Sequence, residues 1–226
     1  MKLKAVFFDM DGVLFNSMPY HAEAWHQVMK QYGMNLSREE AYMHEGRTGA
    51  GTINIVSLRE RGYEATEEEI KQIYQAKSEL FNQYPLAERM PRALEVLTKI
   101  KEAGLTPMVV TGSGQTSLLD RLNKNFPGIF QRELMVTAFD VKYGKPNPEP
   151  YLMALKKGGL QPNEAIVVEN APLGVQAGVA AGIFTIAVNT GPLPDEALLG
   201  QGANLLFHSM PDFNEHWSLQ EQLVKK

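Results

Sequence analysis

Short apolar runs alternate with amphipathic stretches along most of this chain, and the alternation predicts strands and helices in turn. The first run, LKAVFF at residues 3–8, is short and almost continuously apolar, which suits a buried parallel strand better than a helix. Beyond Pro91 the pattern predicts four helices, each followed by a strand. The helices cover 93–104, 116–126, 148–159 and 172–182, and the strands cover 105–111, 133–138, 164–170 and 183–189. The tail from residue 208 indicates a strand end and a closing helix.

The pattern changes between about Met18 and Tyr84, where apolar residues recur at helical spacing and no strand is predicted. Elsewhere, helices that alternate with short apolar strands favour parallel βα units, and right-handed crossovers place helices on both faces of the sheet. We therefore expect an α/β fold, a doubly wound parallel sheet built from residues 1–16 and 88–226. Residues 17–87 are expected to form an inserted all-α domain, a helical cap.

Polar or glycine residues follow four of the predicted strands at their carboxyl ends, which is where open α/β sheets bind ligands. The strands themselves are almost entirely apolar. In chain order these residues are Asp9 and Asp11, then Thr111, Gly112, Ser113 and Gly114, then Lys142 and Lys145, and finally Glu169 and Asn170. Because the carboxyl ends of parallel strands share one edge of a sheet, we expect these residues to form one site, with Lys142 only a surface neighbour of Lys145.

Asp9 and Asp11 are two positions apart on an extended segment, so both side chains point toward one pocket. Two carboxylates this close repel each other, unless a divalent cation neutralises them or one carries a proton. Glu169 and Asn170 would add further oxygen ligands, and an all-oxygen set suits Mg²⁺. The sequence therefore predicts a Mg²⁺ cofactor at Asp9, Asp11, Glu169 and Asn170.

The other strand-end residues suit a phosphate group. Lys145 offers a point charge for a phosphate oxygen from a turn rich in Gly and Pro. Thr111 and the amides of Gly112 and Ser113 offer neutral donors in a glycine-containing turn that suits an anion. A carboxylate, a metal, a hydroxyl and a lysine together indicate phosphoryl transfer. One carboxylate would be the nucleophile and form an aspartyl-phosphate, and the second Asp would act as general acid and base.

Composition restricts the partners of such a site. The 226 residues carry 22 basic and 26 acidic side chains, a net charge of −4 that argues against a general nucleic-acid binder. There is no Cys, which excludes a Cys nucleophile and fits a reducing cytoplasm. No apolar run reaches membrane-spanning length, and the acidic start of the chain is unlike a signal peptide. We expect a cytoplasmic monomer that acts on a small phosphorylated metabolite, without a nucleic-acid or membrane partner.

The chain resembles the phosphotransferases of the haloacid dehalogenase superfamily. The segments DMDGV, VVTGS, GKPNPEPY and VVENAPLG match that family's four motifs and follow the family's order. The resemblance implies that Asp9 is the nucleophile and that Asp11 is the general acid and base. It also implies that Asp9, the Asp11 carbonyl, Glu169 and Asn170 surround Mg²⁺.

The inserted helical segment matches the small α-helical cap of the same family. Residues 16–25, NSMPYHAEAW, are similar to the β-phosphoglucomutase-like subfamily. His21 lies at a matching place and is expected to serve the substrate, whereas Trp25 is expected to pack within the cap. The resemblance further implies that Thr111 and Lys145 hold the transferring phosphoryl group.

Two departures from the family pattern leave the activity open. Family mutases place a cap lysine just before a glycine and an arginine shortly after it, but this chain has Glu45 and Gly49 there, with Arg47 as the substitute. Asn170 stands where the family often has Asp, and a neutral ligand should weaken Mg²⁺ binding. We therefore favour a phosphatase that acts on a small phosphorylated sugar or similar metabolite. The alternatives are a β-phosphoglucomutase and a non-enzymatic metabolite-binding protein on the same fold.

Overall fold

The computed structural model describes residues 3–113 and 118–224, and these residues contain a parallel sheet of five strands. The strands are β1 (Ala5–Phe8), β2 (Thr106–Val109), β3 (Ala165–Glu169), β4 (Phe184–Val188) and β5 (Leu205–Phe207). In space they lie in the order β2-β1-β3-β4-β5, so the first strand of the chain is central. The predicted α/β class and parallel sheet are confirmed.

Ten α-helices lie in the described part of the chain. They are α1 (Met18–Gln31), α2 (Arg38–Met43), α3 (Gly49–Arg61), α4 (Glu67–Phe81), α5 (Ala93–Glu102), α6 (Leu118–Asn125), α7 (Glu149–Gly158), α8 (Pro172–Ala180), α9 (Asp195–Leu199) and α10 (Met210–Val224). None of these helices is both long and apolar enough to cross a lipid bilayer. The first two residues of the helix predicted over 116–126, and Gly114, lie outside the described ranges.

The sheet is covered by helices on both faces, as a doubly wound fold requires. Successive residues of β1 point to opposite faces, so Val6 and Phe8 join one apolar cluster and Ala5 and Phe7 join the other. Helices α5 and α10 contribute to the first cluster, and α7 and α8 contribute to the second. All four β1 residues are buried, which explains why the opening run is almost continuously apolar.

Helices α1–α4, called the helical block below, pack on one another around an apolar cluster of their own. No strand lies among the described residues 18–81, as predicted. The chain enters the block at Asn16 and leaves it near Glu88, and the two crossings run side by side. The Asn16 amide donates to the Glu88 carbonyl at 2.9 Å, and the Met90 amide donates to the Leu14 carbonyl at 2.9 Å. The block is thus tied to the sheet through two adjacent segments.

The strand predicted over 133–138 is wrong. Arg132–Leu134 form a turn of 3₁₀ helix, and a single bridge joins Val136 to the segment after β2. Immediately afterwards, the Asp140 carboxylate accepts hydrogen bonds from the amide and the hydroxyl of Thr137, both at 2.8 Å. Because such local bonds compete with a strand ladder, the pairing stops after one residue.

Candidate active site

The segment that follows β1 turns back on itself and places two acids at the edge of the sheet. The Asp9 amide donates to the Val168 carbonyl at 3.0 Å, so the strand pairing continues through Asp9. Gly12 has a φ of +86°, a left-handed conformation that glycine adopts without a Cβ clash. Its amide donates to the Phe15 carbonyl at 2.7 Å and closes the turn. Asp9 and Asp11 therefore both line a pocket between the sheet and the helical block.

A buried lysine compensates the charge of the first acid. The Lys145 ammonium donates to the carboxylates of Asp9 and Glu169 and, at 3.2 Å, to the Val110 carbonyl. The Tyr151 hydroxyl donates to Glu169 at 2.6 Å. Burial raises the pKa of the Asp9 carboxyl to about 8, although the Lys145 ammonium acts to lower it. One ammonium is shared by two buried carboxyl groups, so at neutral pH Asp9 holds a proton unless a further cation lies beside it.

The second acid has different neighbours. The Ser17 hydroxyl donates to Asp11 Oδ1, and His21 Nε2 lies 3.5 Å from the same oxygen. Burial acts to raise the pKa of the Asp11 carboxyl, but His21 and Ser17 outweigh it and lower the pKa to about 2. Ser17 and His21 belong to the start of α1, so the position of this helix fixes the orientation of the Asp11 carboxylate.

A second buried lysine lies behind His21. Lys77 on α4 is 7% exposed, and its ammonium lies 2.7 Å from His21 Nδ1. An ammonium can only donate, so Nδ1 is the acceptor and Nε2 carries the hydrogen that faces Asp11. Phe81 stacks on the imidazole, with ring centroids 4.0 Å apart. Lys77, His21 and Asp11 thus form one connected line from the helical block to the sheet.

Sequence reasoning missed Lys77, although a signal was present. The residue lies four positions after Ile73 and four before Phe81, so it falls within the apolar stripe of α4. A lysine in such a stripe has to be buried or paired. Burial lowers the pKa of Lys77 to about 8, and burial together with Lys77 lowers the pKa of His21.

The loop after β2 carries the predicted hydroxyl. Thr111 is buried, and its hydroxyl accepts a hydrogen bond from the Ser113 amide at 3.1 Å. That amide is therefore engaged within the loop, whereas the sequence predicts it as a free donor for an anion. Thr111, Gly112 and Ser113 all line the pocket.

The loop between α2 and α3 forms the opposite wall of the pocket. Its pocket-lining residues are His44, Glu45, Gly46 and Arg47. A Cβ on Gly46 would lie 2.9 Å from Cδ of Lys145, so only glycine lets the loop approach this closely. The Glu45 carboxylate accepts a hydrogen bond from the Asn170 side-chain amide at 2.9 Å. Among the described residues, no group accepts a hydrogen bond from Arg47 Nε, which is buried.

The structure gathers the predicted site residues that it describes at one place, with the exception of Lys142, which is exposed outside the pocket. The two acids, the Thr111 loop, His21, Glu45 and Arg47 line the pocket. Lys145 and Glu169 contact one another next to Asp9. The catalytic, phosphate-binding and metal-binding roles of these residues stay predictions.

The ligand atoms available near Asp9 are oxygens, the element that Mg²⁺ prefers as a ligand. Asn170 Oδ1 and Glu45 Oε1 are buried oxygen atoms for which the described residues offer no hydrogen-bond partner, and a cation would satisfy them. Within residues 3–113 and 118–224, no three His, Asp or Glu side chains converge as a metal-binding group. A Mg²⁺ ion at this place would therefore need the Asn170 amide oxygen and a main-chain carbonyl in addition to the carboxylates of Asp9 and Glu169.

Replacing Lys145 with Met is expected to lower the free energy of unfolding by about 3 kcal/mol, because two buried carboxylates lose their shared partner. These carboxylates then bind protons more tightly in the folded than in the unfolded variant, so the loss is larger at about pH 8 than at about pH 5. Urea denaturation of wild type and variant at both pH values measures this loss of unfolding free energy. The matched control is Lys142→Met, because Lys142 is exposed. Equal stability of the two variants at both pH values would contradict this prediction.

The fold and the site together define an enzyme of phosphoryl transfer. The chain belongs to the haloacid dehalogenase-like hydrolases, because the model of that family matches residues 6–188. The family resemblance read from the four motifs is thereby confirmed, and so is the predicted class of a phosphatase or phosphomutase of this family.

Three known proteins are similar to this chain over nearly their full lengths. Hexitol phosphatase A of Escherichia coli (strain K12) is 31% identical over 211 residues, which cover 93% of each chain. A phosphorylated carbohydrates phosphatase of Thermotoga maritima is 30% identical over 203 residues, 89% of this chain and 92% of the relative. A solved structure from Bacteroides vulgatus, whose β-phosphoglucomutase name is provisional, is 78% identical with a TM-score of 0.97. The match covers 100% of this chain and 91% of that one.

Proposed function

We propose that this enzyme is a phosphatase that hydrolyses small phosphorylated carbohydrates through an aspartyl-phosphate on Asp9. The observation that carries the proposal is the contrast between two acids in one pocket. Asp9 contacts the Lys145 ammonium, whereas Asp11 is held by Ser17 and His21. One carboxylate is thus fixed beside a positive charge, where it can attack, and the other is oriented for proton transfer.

The reaction has two steps. An Asp9 oxygen attacks the phosphorus atom, the bond from phosphorus to the sugar oxygen breaks, and Asp11 gives its proton to that leaving oxygen. A water molecule then attacks phosphorus, the bond to Asp9 breaks, and Asp11 takes up the proton of the water. A substrate dianion near Asp11 raises the pKa of this carboxyl, which favours the protonated form that the first step needs.

Several neighbours support these two steps. Thr111 and Lys145 hold the phosphoryl group, and Lys145 is already in contact with the attacking carboxylate. Asp9, the Asp11 carbonyl, Glu169 and Asn170 would hold Mg²⁺. When bound, the ion would offset the negative charge of the carboxylates and of the phosphoryl oxygens.

We also propose that the helical block is a cap, with the domain division at residues 17–87. Opening admits the substrate, and closing excludes bulk water from the pocket. The crossings near Asn16–Ser17 and Pro85–Pro91 act as hinges, which is supported by their side-by-side course between the block and the sheet. Residues 1–16 and 88–226 then form the core.

The proposed substrate class rests on the relatives and on the groups that face the pocket. Two similar proteins are named as phosphatases of hexitol or of phosphorylated carbohydrates. Arg47 faces the pocket and offers a buried Nε donor that suits a sugar hydroxyl. We further propose a cytoplasmic monomer without a nucleic-acid or membrane partner, in keeping with a net charge of −4 and the absence of Cys.

A β-phosphoglucomutase is the second candidate. It is favoured by the provisional name of the 78% identical structure and by Arg47, whose buried Nε faces no acceptor among the described residues. A mutase has to hold a bisphosphate by both ends. Glu45 beside Arg47 makes this wall less favourable for a second phosphate, so we place the phosphatase first.

Phosphate release and isomerisation, measured side by side, are expected to identify a phosphatase. The enzyme is incubated with Mg²⁺ and a panel of hexose and hexitol phosphates, including β-glucose 1-phosphate with a trace of the 1,6-bisphosphate. We expect inorganic phosphate from at least one substrate and no accumulation of glucose 6-phosphate. An Asp9→Asn sample prepared in the same way controls for contaminating phosphatases. Glucose 6-phosphate formed without free phosphate would identify the mutase and overturn our first choice.

A further inference from the structure

A buried hydroxyl next to the charged cluster takes no part in the reaction as proposed above. Tyr151 on α7 is fully buried, and it is not one of the described residues that line the pocket. Its hydroxyl donates to Glu169 Oε1 at 2.6 Å, and the Lys145 ammonium lies 5.4 Å from the centroid of its ring. Tyr151 therefore interacts with Glu169 and Lys145 without reaching the pocket.

The Glu169 carboxylate has two side-chain donors at one oxygen. Oε1 accepts from the Tyr151 hydroxyl and also from the Lys145 ammonium. Burial and the Glu169 carboxylate raise the pKa of the Tyr151 hydroxyl well above its usual value, so this group remains a donor. A Cβ on Gly174 would overlap the Glu169 carboxyl group, so α8 packs directly onto it and limits its movement. Tyr151 and Lys145 thus share the compensation of one fixed, buried charge.

Lys145 has no uncommitted hydrogen. An ammonium carries three, and Lys145 donates to Asp9, to Glu169 and to the Val110 carbonyl. If Lys145 is to hold a phosphoryl oxygen, one of these bonds has to be exchanged. Glu169 keeps a side-chain donor after such an exchange, because Tyr151 still binds the same oxygen. The exchange at Glu169 therefore leaves no buried carboxylate without a donor.

The attack on phosphorus makes this exchange necessary. As the Asp9 oxygen bonds to phosphorus, its negative charge passes to the phosphoryl group. Glu169 is then the remaining carboxylate in contact with the ammonium, and it competes with the phosphoryl oxygens for Lys145. A hydrogen bond from Tyr151 reduces the charge that Glu169 presents to Lys145 and so weakens this competition.

We propose that Tyr151 is a positioning residue for phosphoryl transfer, whose hydroxyl stabilises Glu169 so that the Lys145 ammonium can turn from Glu169 to the phosphoryl group. The inference rests on the proposed roles of Asp9 and Lys145. Without the hydroxyl, Lys145 is the one side-chain donor to Glu169 among the described residues, and it is held there during the attack. The effect falls on the transition state, so kcat should decrease while KM stays close to that of wild type.

Turnover of the hexose and hexitol phosphate panel by Tyr151→Phe tests the inference. Phenylalanine keeps the ring beside Lys145 and removes only the hydroxyl. We expect kcat to fall roughly tenfold and KM to stay within about twofold of wild type. Tyr143→Phe, which removes an exposed hydroxyl two positions before Lys145, should leave both constants unchanged. Wild-type kcat in Tyr151→Phe would overturn the inference.

Thr185→Val separates positioning from a general loss of stability. Thr185 is a buried residue of β4, and its hydroxyl donates to the Ile183 carbonyl at 3.0 Å, away from Lys145 and Glu169. Losing this bond should lower the midpoint of urea denaturation, as Tyr151→Phe does, but should leave kcat unchanged. A loss of kcat in Thr185→Val as large as that in Tyr151→Phe would overturn the inference.

A double-mutant cycle with Glu169→Gln tests whether Tyr151 acts through the Glu169 charge. Glutamine removes that charge, so Tyr151→Phe should lower the rate by less than about twofold in this background, against tenfold in the wild-type background. Single turnovers with enzyme in excess over substrate measure the slow variants. Equal losses in both backgrounds would overturn the inference and leave the proposed function intact. Wild-type turnover in Asp9→Asn would overturn the proposed function and the inference with it.

Discussion

Replacing Asp9 with Asn is expected to lower kcat by at least about 10⁴-fold, because the amide cannot form the acyl phosphate on which both steps depend. The side chain keeps its size and its place beside Lys145, so the fold should be retained. Steady-state phosphate release measures the loss. Acid-quenched protein from single turnovers of wild type should carry phosphate, and the variant should carry none.

Asp120→Asn is the matched control for this experiment. Asp120 is an exposed carboxylate on α6, and its replacement should leave phosphate release within about twofold of wild type. If Asp9→Asn kept full turnover, Asp9 would not be the nucleophile. If the retained turnover came from a contaminating phosphatase, the interpretation of the fold as a metabolite-binding protein would be reopened.

Replacing Asp11 with Asn is expected to lower kcat by roughly 10²–10⁴-fold, the usual contribution of a general acid and base. Asn keeps an oxygen for the Ser17 hydroxyl but cannot give or take the proton. An aryl phosphate should separate the two steps, because its leaving group departs without a proton. With that substrate the first step should persist, the second should slow, and phosphoenzyme should accumulate.

Ser17→Ala is the control for the Asp11→Asn experiment. Ser17→Ala removes the hydroxyl that holds Asp11 but leaves the proton-transfer group, so its loss of kcat should be smaller and phosphoenzyme should not accumulate. If Asp11→Asn matched wild type with both alkyl and aryl phosphates, Asp11 would have no role in proton transfer.

Most of the sheet could be predicted from the sequence because its strands are buried on both faces. A strand buried on both faces appears in the sequence as a short, continuous apolar run. Four of the five runs predicted as strands form strands of the sheet. The exception is the strand predicted over 133–138, a run that is also largely apolar. Its pairing is ended by Asp140, a residue outside the run, through hydrogen bonds that a hydropathy pattern does not contain.

The site was predicted less completely than the fold. Asp9, Thr111, Lys145 and Glu169 could be found because each comes at the end of a strand or in a family motif. Lys77 could not be assigned in this way, because its partner His21 lies 56 positions away on another helix. The Tyr151 hydroxyl on Glu169 was missed for the same reason: only the packing of α7 on the sheet brings them together.

The sequence by itself determined the fold class, the order of the motifs and the place of the acidic pair, since these follow from periodicity and from residues adjacent in the chain. Only the tertiary structure decided how those acids are compensated. It placed one ammonium between Asp9 and Glu169, and it brought Glu45 from the helical block to the Asn170 amide. The physical reason is that charge compensation inside a protein depends on which side chains, distant in the sequence, are buried next to each other. A local sequence pattern does not contain that information.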